Sequence, residues 1–239
     1  MAQLFAGTSG FAYPGWKPGF YPEKLPAKKF LEHYSRRLNA VEINYTFRRL
    51  AALSTLTAWV EATQPGFLFA PKANMRITHI QKLKDAAAST ALFLKSIDPL
   101  RSARRLGPIL FQLPPTLKHD LPLLAEFLSQ LPSDLRYTFE FRHVSWLVEA
   151  TYKLLADHNI ALCAAESEKL ETPEVVTADF IYYRLRKPEY SLADRQQIAA
   201  GAQKTLADGK DVFLFFKHED TPEGALYAEE ILSSGRAIA

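Results

Sequence analysis

Short apolar runs alternate along this chain with stretches in which apolar residues recur every three or four positions. Eight runs read as strands: QLFAGTS (3–9), NAVEIN (39–44), FLFAPKA (67–73), PILFQLP (108–114), RYTFEFR (136–142), IALCAAES (160–167), FIYYRLR (180–186) and DVFLFFKHE (211–219). Most are unbroken rather than alternating. Strands covered on both faces read this way, and parallel sheets are covered on both faces.

Helical periodicity fills the gaps. KKFLEHYSRRL (28–38) spaces Phe30, Leu31, Tyr34 and Leu38 for one face, and LSTLTAWVEAT (53–63) does the same with Leu53, Leu56, Trp59 and Val60, with Ser54 as its expected cap. LPLLAEFLSQL (121–131), WLVEATYKLLADHN (146–159) and EGALYAEEILSS (223–234) follow the same rule. Ser191 begins a sixth such stretch, SLADRQQIAAGAQKTLADGK (191–210), where Ser191 and Asp194 have the spacing of a capping box and Gly209 stands where a helix would stop.

A strand–helix alternation repeated eight times in one chain predicts an α/β fold: a single (β/α)8 TIM-type barrel of parallel strands over residues 1–239. The alternative is a doubly wound open sheet, but GTSG (7–10) is too short for a dinucleotide-binding turn and no helix pattern follows it. The first connection, 10–26, is long, aromatic and rich in proline; the third, through ANMRITHIQKLKD (73–85), is also long. Long loops in a compact domain are often functional.

Composition narrows the classes. With 48% hydrophobic and 23% charged residues the chain reads as an ordinary globular protein. A net charge of +3 is too small to argue for nucleic acid, although ITHIQKLKDAA (77–87) and RSARRLGP (101–108) offer a weak basic track. A single cysteine, Cys163, forbids an internal disulfide and reads as a buried thiol. No apolar run is long enough for a membrane span and MAQLFAGTSG has no basic start, so a cytoplasmic location is the expectation.

In a barrel of this kind the chemistry sits at the C-terminal ends of the strands. Those ends carry Ser9, Glu42 and Asn44, Lys72, Gln112, Glu140 with Arg142 and His143, Glu166, Arg184, and Lys217 with His218 and Glu219. Glu42 and Asn44 share a face, as do Glu140 and Arg142, because residues two apart on a strand point the same way. Two readings compete for these charges. They are buried ion pairs plugging the barrel, such as Glu140 with Lys72 and Glu42 with Arg184, or they are a ligand site. Ion pairs are poor core filling compared with Val, Ile and Leu, which favours the site.

Several stretches together carry a family resemblance: GTSGFAYPGWKPGFYP (7–22), VEINYTF (41–47), FAPKANMRITH (69–79), LGPILFQLPPTL (106–117), EFRHVSW (140–146), YYRL (182–185) and FFKHED (215–220). In these the chain resembles the YecE-like family, over nearly its whole length. The resemblance implies a TIM-type barrel and no settled reaction. Arg48 and Leu50 stand where many relatives carry tyrosine and proline, and RLRKP (184–188) stands where many read Arg-x-His-Gly. The expectation from these departures is a more cationic mouth.

The chemistry expected there is that of an enzyme, a hydrolase, lyase or isomerase, working by general acid/base catalysis on a small anionic, phosphorylated sugar-like or nucleotide-like substrate. Glu140 is the first candidate for the acid or base, with Glu42 as partner and His143 as a proton carrier. Asn44, Lys72, Gln112, Arg142, Arg184 and Lys217 are candidates to bind the substrate, the arginines through a bidentate fork. Tyr13, Trp16 and Trp146 are candidate walls for a ring. No cofactor is implied. No metal is either, because the six histidines are scattered and no HExxH is present. The competing class is a binding module that captures an anionic metabolite or nucleic acid without turning it over.

Overall fold

Each of the eight runs forms a strand: β1 (Leu4–Thr8), β2 (Ala40–Ile43), β3 (Leu68–Pro71), β4 (Ile109–Gln112), β5 (Tyr137–Glu140), β6 (Ala161–Ala165), β7 (Phe180–Leu185) and β8 (Asp211–Phe216). The computed structural model of the 239-residue chain describes residues 1–166, 170 and 172–236. The helices are α1 (Phe30–Arg37), α2 (Tyr45–Arg48), α3 (Leu53–Glu61), α4 (Ala87–Ser102), α5 (Leu121–Ser129), α6 (Glu149–Asp157), α7 (Leu192–Ala207) and α8 (Glu223–Arg236).

All strand pairs are parallel. Six strands form one curled sheet in the order β1-β8-β7-β6-β5-β4, and β2 pairs with β3 in a second, two-stranded sheet. Single parallel bridges lie between the two sheets: Ser9 with Glu42, Phe69 with Leu106, and Lys72 with Leu110. The ladders therefore make an α/β fold of six strands plus two, not the continuous eight-stranded sheet that the repeat predicts. The β1–β2 contact is close. A Cβ on Gly7 would lie 1.9 Å from the Ala40 carbonyl oxygen, so only glycine fits there.

Residues two apart along the strands build the inner face. Phe5, Ala40, Ala70, Leu110, Ala161, Cys163, Phe180, Tyr182, Phe213 and Phe215 form one buried apolar cluster. The opposite faces pack under the helices in two larger clusters, one around β1, α1 and α8 and the other around β4, β5 and α5. Both faces of the strands are thus apolar, which is why the runs are unbroken in the sequence.

The helix expectations hold with three exceptions. Ser191 and Asp194 do form a reciprocal capping box on α7, and Gly209 takes a positive φ of 79° beyond it. Ser54 does not cap α3; Ala52 occupies the cap position, with no side-chain hydrogen bond. Helices α2 and α4 have no counterpart in the sequence reading, where their stretches stand as connections. The described residues between β6 and β7 contain no helix, where the alternation predicts one.

Candidate functional site

The inner face turns polar at the C-terminal ends of the strands, one step beyond its apolar cluster. Glu42 follows Ala40, Lys72 follows Ala70, Gln112 follows Leu110, Glu140 follows Thr138 and Arg184 follows Tyr182, each two residues on. Parallel register aligns them. Gln112 lies opposite Glu140, and Ser9 lies opposite Glu42.

Arg184 is the centre. Its Nη2 donates to Glu42 Oε1 at 2.6 Å, and its Nη1 donates to Glu140 Oε2. Arg184 is 2% exposed and both carboxylates are fully buried. Glu42 also accepts from Ser9 Oγ at 2.8 Å and from Tyr182 Oη at 2.8 Å. Glu140 is ion-paired with Arg142 Nε, and Arg186 Nη2 stands 3.6 Å from its Oε2. The Arg142–Glu140 pair lacks the alignment of a hydrogen bond. Glu140 Oε1, Arg142 Nε, Arg184 Nε and Arg186 Nε are accordingly buried without a hydrogen-bond partner among the described residues.

Burial alone would push both carboxyls up. For Glu140 the charges of Arg184, Arg186 and Arg142 outweigh it and hold the pKa at about 2. For Glu42 the charge of Arg184, with hydrogen bonds from Arg184 and Ser9, again wins and the pKa is lowered. Both are firmly ionised at neutral pH. Glu140 is thus a very weak proton acceptor there, whatever its position.

Lys72 differs. Its Nζ donates to Gln112 Oε1 at 2.6 Å and sits 4.1 Å from the centroid of the Phe47 ring. Burial lowers its pKa, and Arg184 and Arg186 lower it further against the pull of Glu140 and Glu42, to about 8. The Phe47 ring favours the ammonium by about 1–2 kcal/mol, less than the shift it opposes. Of the two ion pairs weighed from the sequence, Glu42–Arg184 forms and Glu140–Lys72 does not: Lys72 bonds to Gln112, and the arginines take Glu140.

Among the other candidates, Tyr13 is half-buried and its hydroxyl donates to the Ser9 carbonyl at 2.9 Å, which ties the first loop to the cluster. Burial, with Glu219 and Glu42, raises its pKa to about 12. Asn44, half-buried, follows β2 and leads into α2 without a side-chain cap bond. His143 caps the short turn at Val144–Trp146, its Nδ1 accepting from Ser145 N at 3.1 Å. Trp146 is fully buried, stacked on Phe141, and its Nε1 donates to the Leu117 carbonyl at 2.8 Å. Trp16 is fully buried among Tyr13, Phe20 and Tyr21. Lys217 is exposed and lies 3.7 Å from Glu219. The structure therefore brings together Glu42, Lys72, Gln112, Glu140, Arg142 and Arg184, and places the two tryptophans, His143 and Lys217 in other surroundings.

Four participants were not singled out beforehand: Ser9 as a ligand of Glu42, Tyr182, Arg186 and His79. Arg186 and Tyr182 share the parity of Arg184, a signal present in the sequence. His79 sits in a π-helical turn, Arg76–Ile80, edge-on to Phe47 at 4.9 Å; burial and the nearby Lys72 lower its pKa. The two basic runs lie at opposite ends of the strands. Residues 77–87 follow the C-terminal end of β3, whereas 101–108 lead into the start of β4, where Arg105 is buried with its Nη1 on the carbonyls of Gln64 and Phe67. Among the described residues no group of three His, Cys, Asp or Glu could hold a metal ion, and no helix is long and apolar enough to cross a membrane.

Fold and site define an α/β protein of parallel strands whose ionisable groups converge where the strands end. The chain belongs to the family described as "Protein of unknown function DUF72", whose model matches residues 5–237. It is similar to UPF0759 protein YecE of Escherichia coli (strain K12), 36% identical over 114 residues, a match that spans 47% of this chain and 41% of that protein. The structure is similar to that of a DUF72 family protein from Thermotoga maritima MSB8, with a TM-score of 0.87 and 25% identity over 98% of this chain and 99% of the other. A DUF72 family protein from Enterococcus faecalis V583 shares the fold at a TM-score of 0.79 and 16% identity, over 100% and 99% of the two chains.

Proposed function

We propose that the eight strands act as a closed (β/α)8 barrel whose C-terminal mouth is the active site of an enzyme for a small anionic substrate, of the phosphorylated-sugar or nucleotide-like class. One observation carries this reading. Arg142, Arg184, Arg186 and Lys72 gather around only two carboxylates, Glu42 and Glu140, in a buried cluster. Buried charge in excess is costly, and an anionic ligand would offset it. Arg142 and Arg186, each partly exposed, are the groups through which such a ligand would enter.

The roles follow from the electrostatics. Glu42 and Glu140 stay ionised and orient the guanidiniums. Acid/base work near neutral pH falls to Lys72, whose pKa of about 8 matches that task. Gln112 orients Lys72, and Tyr13 with the first loop screens the mouth.

The test is a thermal-shift titration with inorganic phosphate, phosphosugars, nucleotides, dicarboxylates and neutral sugars, on wild type and Arg186→Gln. A ligand of the native state raises Tm by mass action. One anionic class should raise Tm in wild type and lose most of that effect in Arg186→Gln. Equal response to neutral sugars, or no response to any anion, would overturn the reading.

A further inference from the structure

Lys72 is the buried group in this cluster whose chemistry the anion site alone does not require. Three observations set it apart from an ordinary anion-binding lysine. Its side chain is almost fully covered, it points its Nζ to the neutral oxygen of Gln112 and not to a carboxylate, and the face of Phe47 lies beside it. Both nearby carboxylates are already engaged by Arg184. An ammonium placed only to bind anions would be better served by exposure and a strong charge. A buried amine beside other cations is instead the arrangement that makes lysine a nucleophile.

We propose that the Lys72 amine forms an imine with the carbonyl carbon of a small anionic oxo compound, whose carboxylate or phosphate is held by Arg142 and Arg186. This deepens the proposed function and rests on its reading of the mouth as an anion site. The amine lone pair attacks the carbonyl carbon to give a carbinolamine. The carbonyl oxygen then leaves as water with the two amine hydrogens, and a C=N bond remains. No oxidant or reductant is consumed. The imine withdraws electrons from the neighbouring carbon, which suits carbon–carbon cleavage, condensation or isomerisation next to a carbonyl. It places the enzyme with the lyases and isomerases of anionic carbonyl compounds.

The electrostatics favour the step. With a pKa of about 8 instead of 10.5, the neutral amine at pH 7 is more abundant than in an exposed lysine by about two orders of magnitude. Glu140, ionised throughout, keeps Arg142 and Arg186 facing the mouth.

The experiment is reductive trapping on the whole protein. Wild type is incubated with cyanoborohydride and, separately, with pyruvate, glyoxylate, dihydroxyacetone phosphate and the uncharged controls acetone and dihydroxyacetone. Hydride adds to the imine carbon and fixes the adduct as a secondary amine, which peptide mass mapping locates. The expected result is labelling at Lys72 by one anionic compound, at least about tenfold above that at the exposed lysines, with the uncharged controls near background. Pyruvate and glyoxylate against dihydroxyacetone phosphate distinguish a carboxylate from a phosphate handle. Labelling spread over surface lysines, or equal labelling by the uncharged controls, would overturn the proposal. Mapping on wild type needs no variant to fold; Lys72→Arg, which keeps the charge, serves as a second check and should lose the adduct. If anions raise Tm but none labels Lys72, the imine falls and the anion site stands. If neither is seen, both fall.

Discussion

Arg184 donates to Glu42 at 2.6 Å across a sequence separation of 142 residues, and neither side chain reaches solvent. The same guanidinium holds Glu140, so one side chain on β7 ties β2 to β5. Removing it leaves two buried carboxylates uncompensated. Arg184→Met should lower unfolding free energy by about 3–5 kcal/mol, read from urea denaturation. Arg184→Lys, which keeps the charge and loses the fork, should cost less. A loss below about 1 kcal/mol for the methionine variant would mean that the cluster is wetter than its burial implies.

Acid should expose the same linkage. Glu140 has its pKa lowered in the folded protein to about 2 from an ordinary value near 4.5, so the folded state binds fewer protons in between. Its contribution to stability is complete above the unfolded value and is lost as pH falls from about 4.5 towards about 2. Glu42 adds to it in the same direction. The slope of stability against pH in this window should be shallower in Glu140→Gln than in wild type. Parallel slopes would contradict the pairing.

Lys72 acts with the opposite bias. Its folded pKa of about 8 lies below the ordinary 10.5, so the unfolded chain holds the extra proton between those values. Stability contributed at this position therefore rises as pH increases from about 8. The unfolding free energy of wild type minus that of Lys72→Met should rise as pH goes from about 7.5 to about 9.5, within the window that this shift opens. A constant difference would place the lysine charge in solvent.

Tyr182 and Ser9 each give Glu42 one hydrogen bond at 2.8 Å. A bond to a buried charge is worth about 1.5–3 kcal/mol. Tyr182→Phe and Ser9→Ala should each destabilise by roughly that amount. Because the two share an acceptor, the double variant should depart from additivity, which a double-mutant cycle by thermal or urea denaturation would measure.

The capping box is a local control. Ser191→Ala removes the bond to the Asp194 N–H at the start of α7 and should cost about 1 kcal/mol. Trapping at Lys72 and the anion-induced Tm shift should be unchanged, since Ser191 lies outside the cluster.

The strands were legible because each is buried on both faces, and an unbroken apolar run leaves little else to be. Their grouping into six and two was not, since ladder partners leave no mark on a run of apolar residues. Helix α4 is hidden in the sequence because Pro99, a residue that reads as a helix breaker, lies inside it and its apolar residues are spread along a long connection. At the site, Glu42, Glu140 and Arg184 stood out as charges at strand ends, and the Glu42–Arg184 pair was written in their types. That one arginine would take both carboxylates, and leave Lys72 to Gln112, depends on reach across the sheet interior. For Trp16 and Trp146 the sequence leaves two readings, walls for a ring or caps on the apolar core; their burial against Tyr13, Phe20 and Tyr21 and against Phe141 and Leu117 depends on how the loops pack, which spacing does not encode. His79 was missed because a lone histidine in a loop has no period.

The pairing of β1 with β8 has a consequence for how the chain is made. Gln3 N–H bonds to Asp211, 208 residues later, and Leu4 finds its ladder partner in Val212. On the ribosome, one edge of β1 waits for β8. Until residue 216 emerges, that edge is an open template for other strands. A sheet built in this way can assemble much of its ladder during translation but joins β1 to β8 only once β8 has emerged, and the growing chain must be kept from mispairing for the whole of that interval.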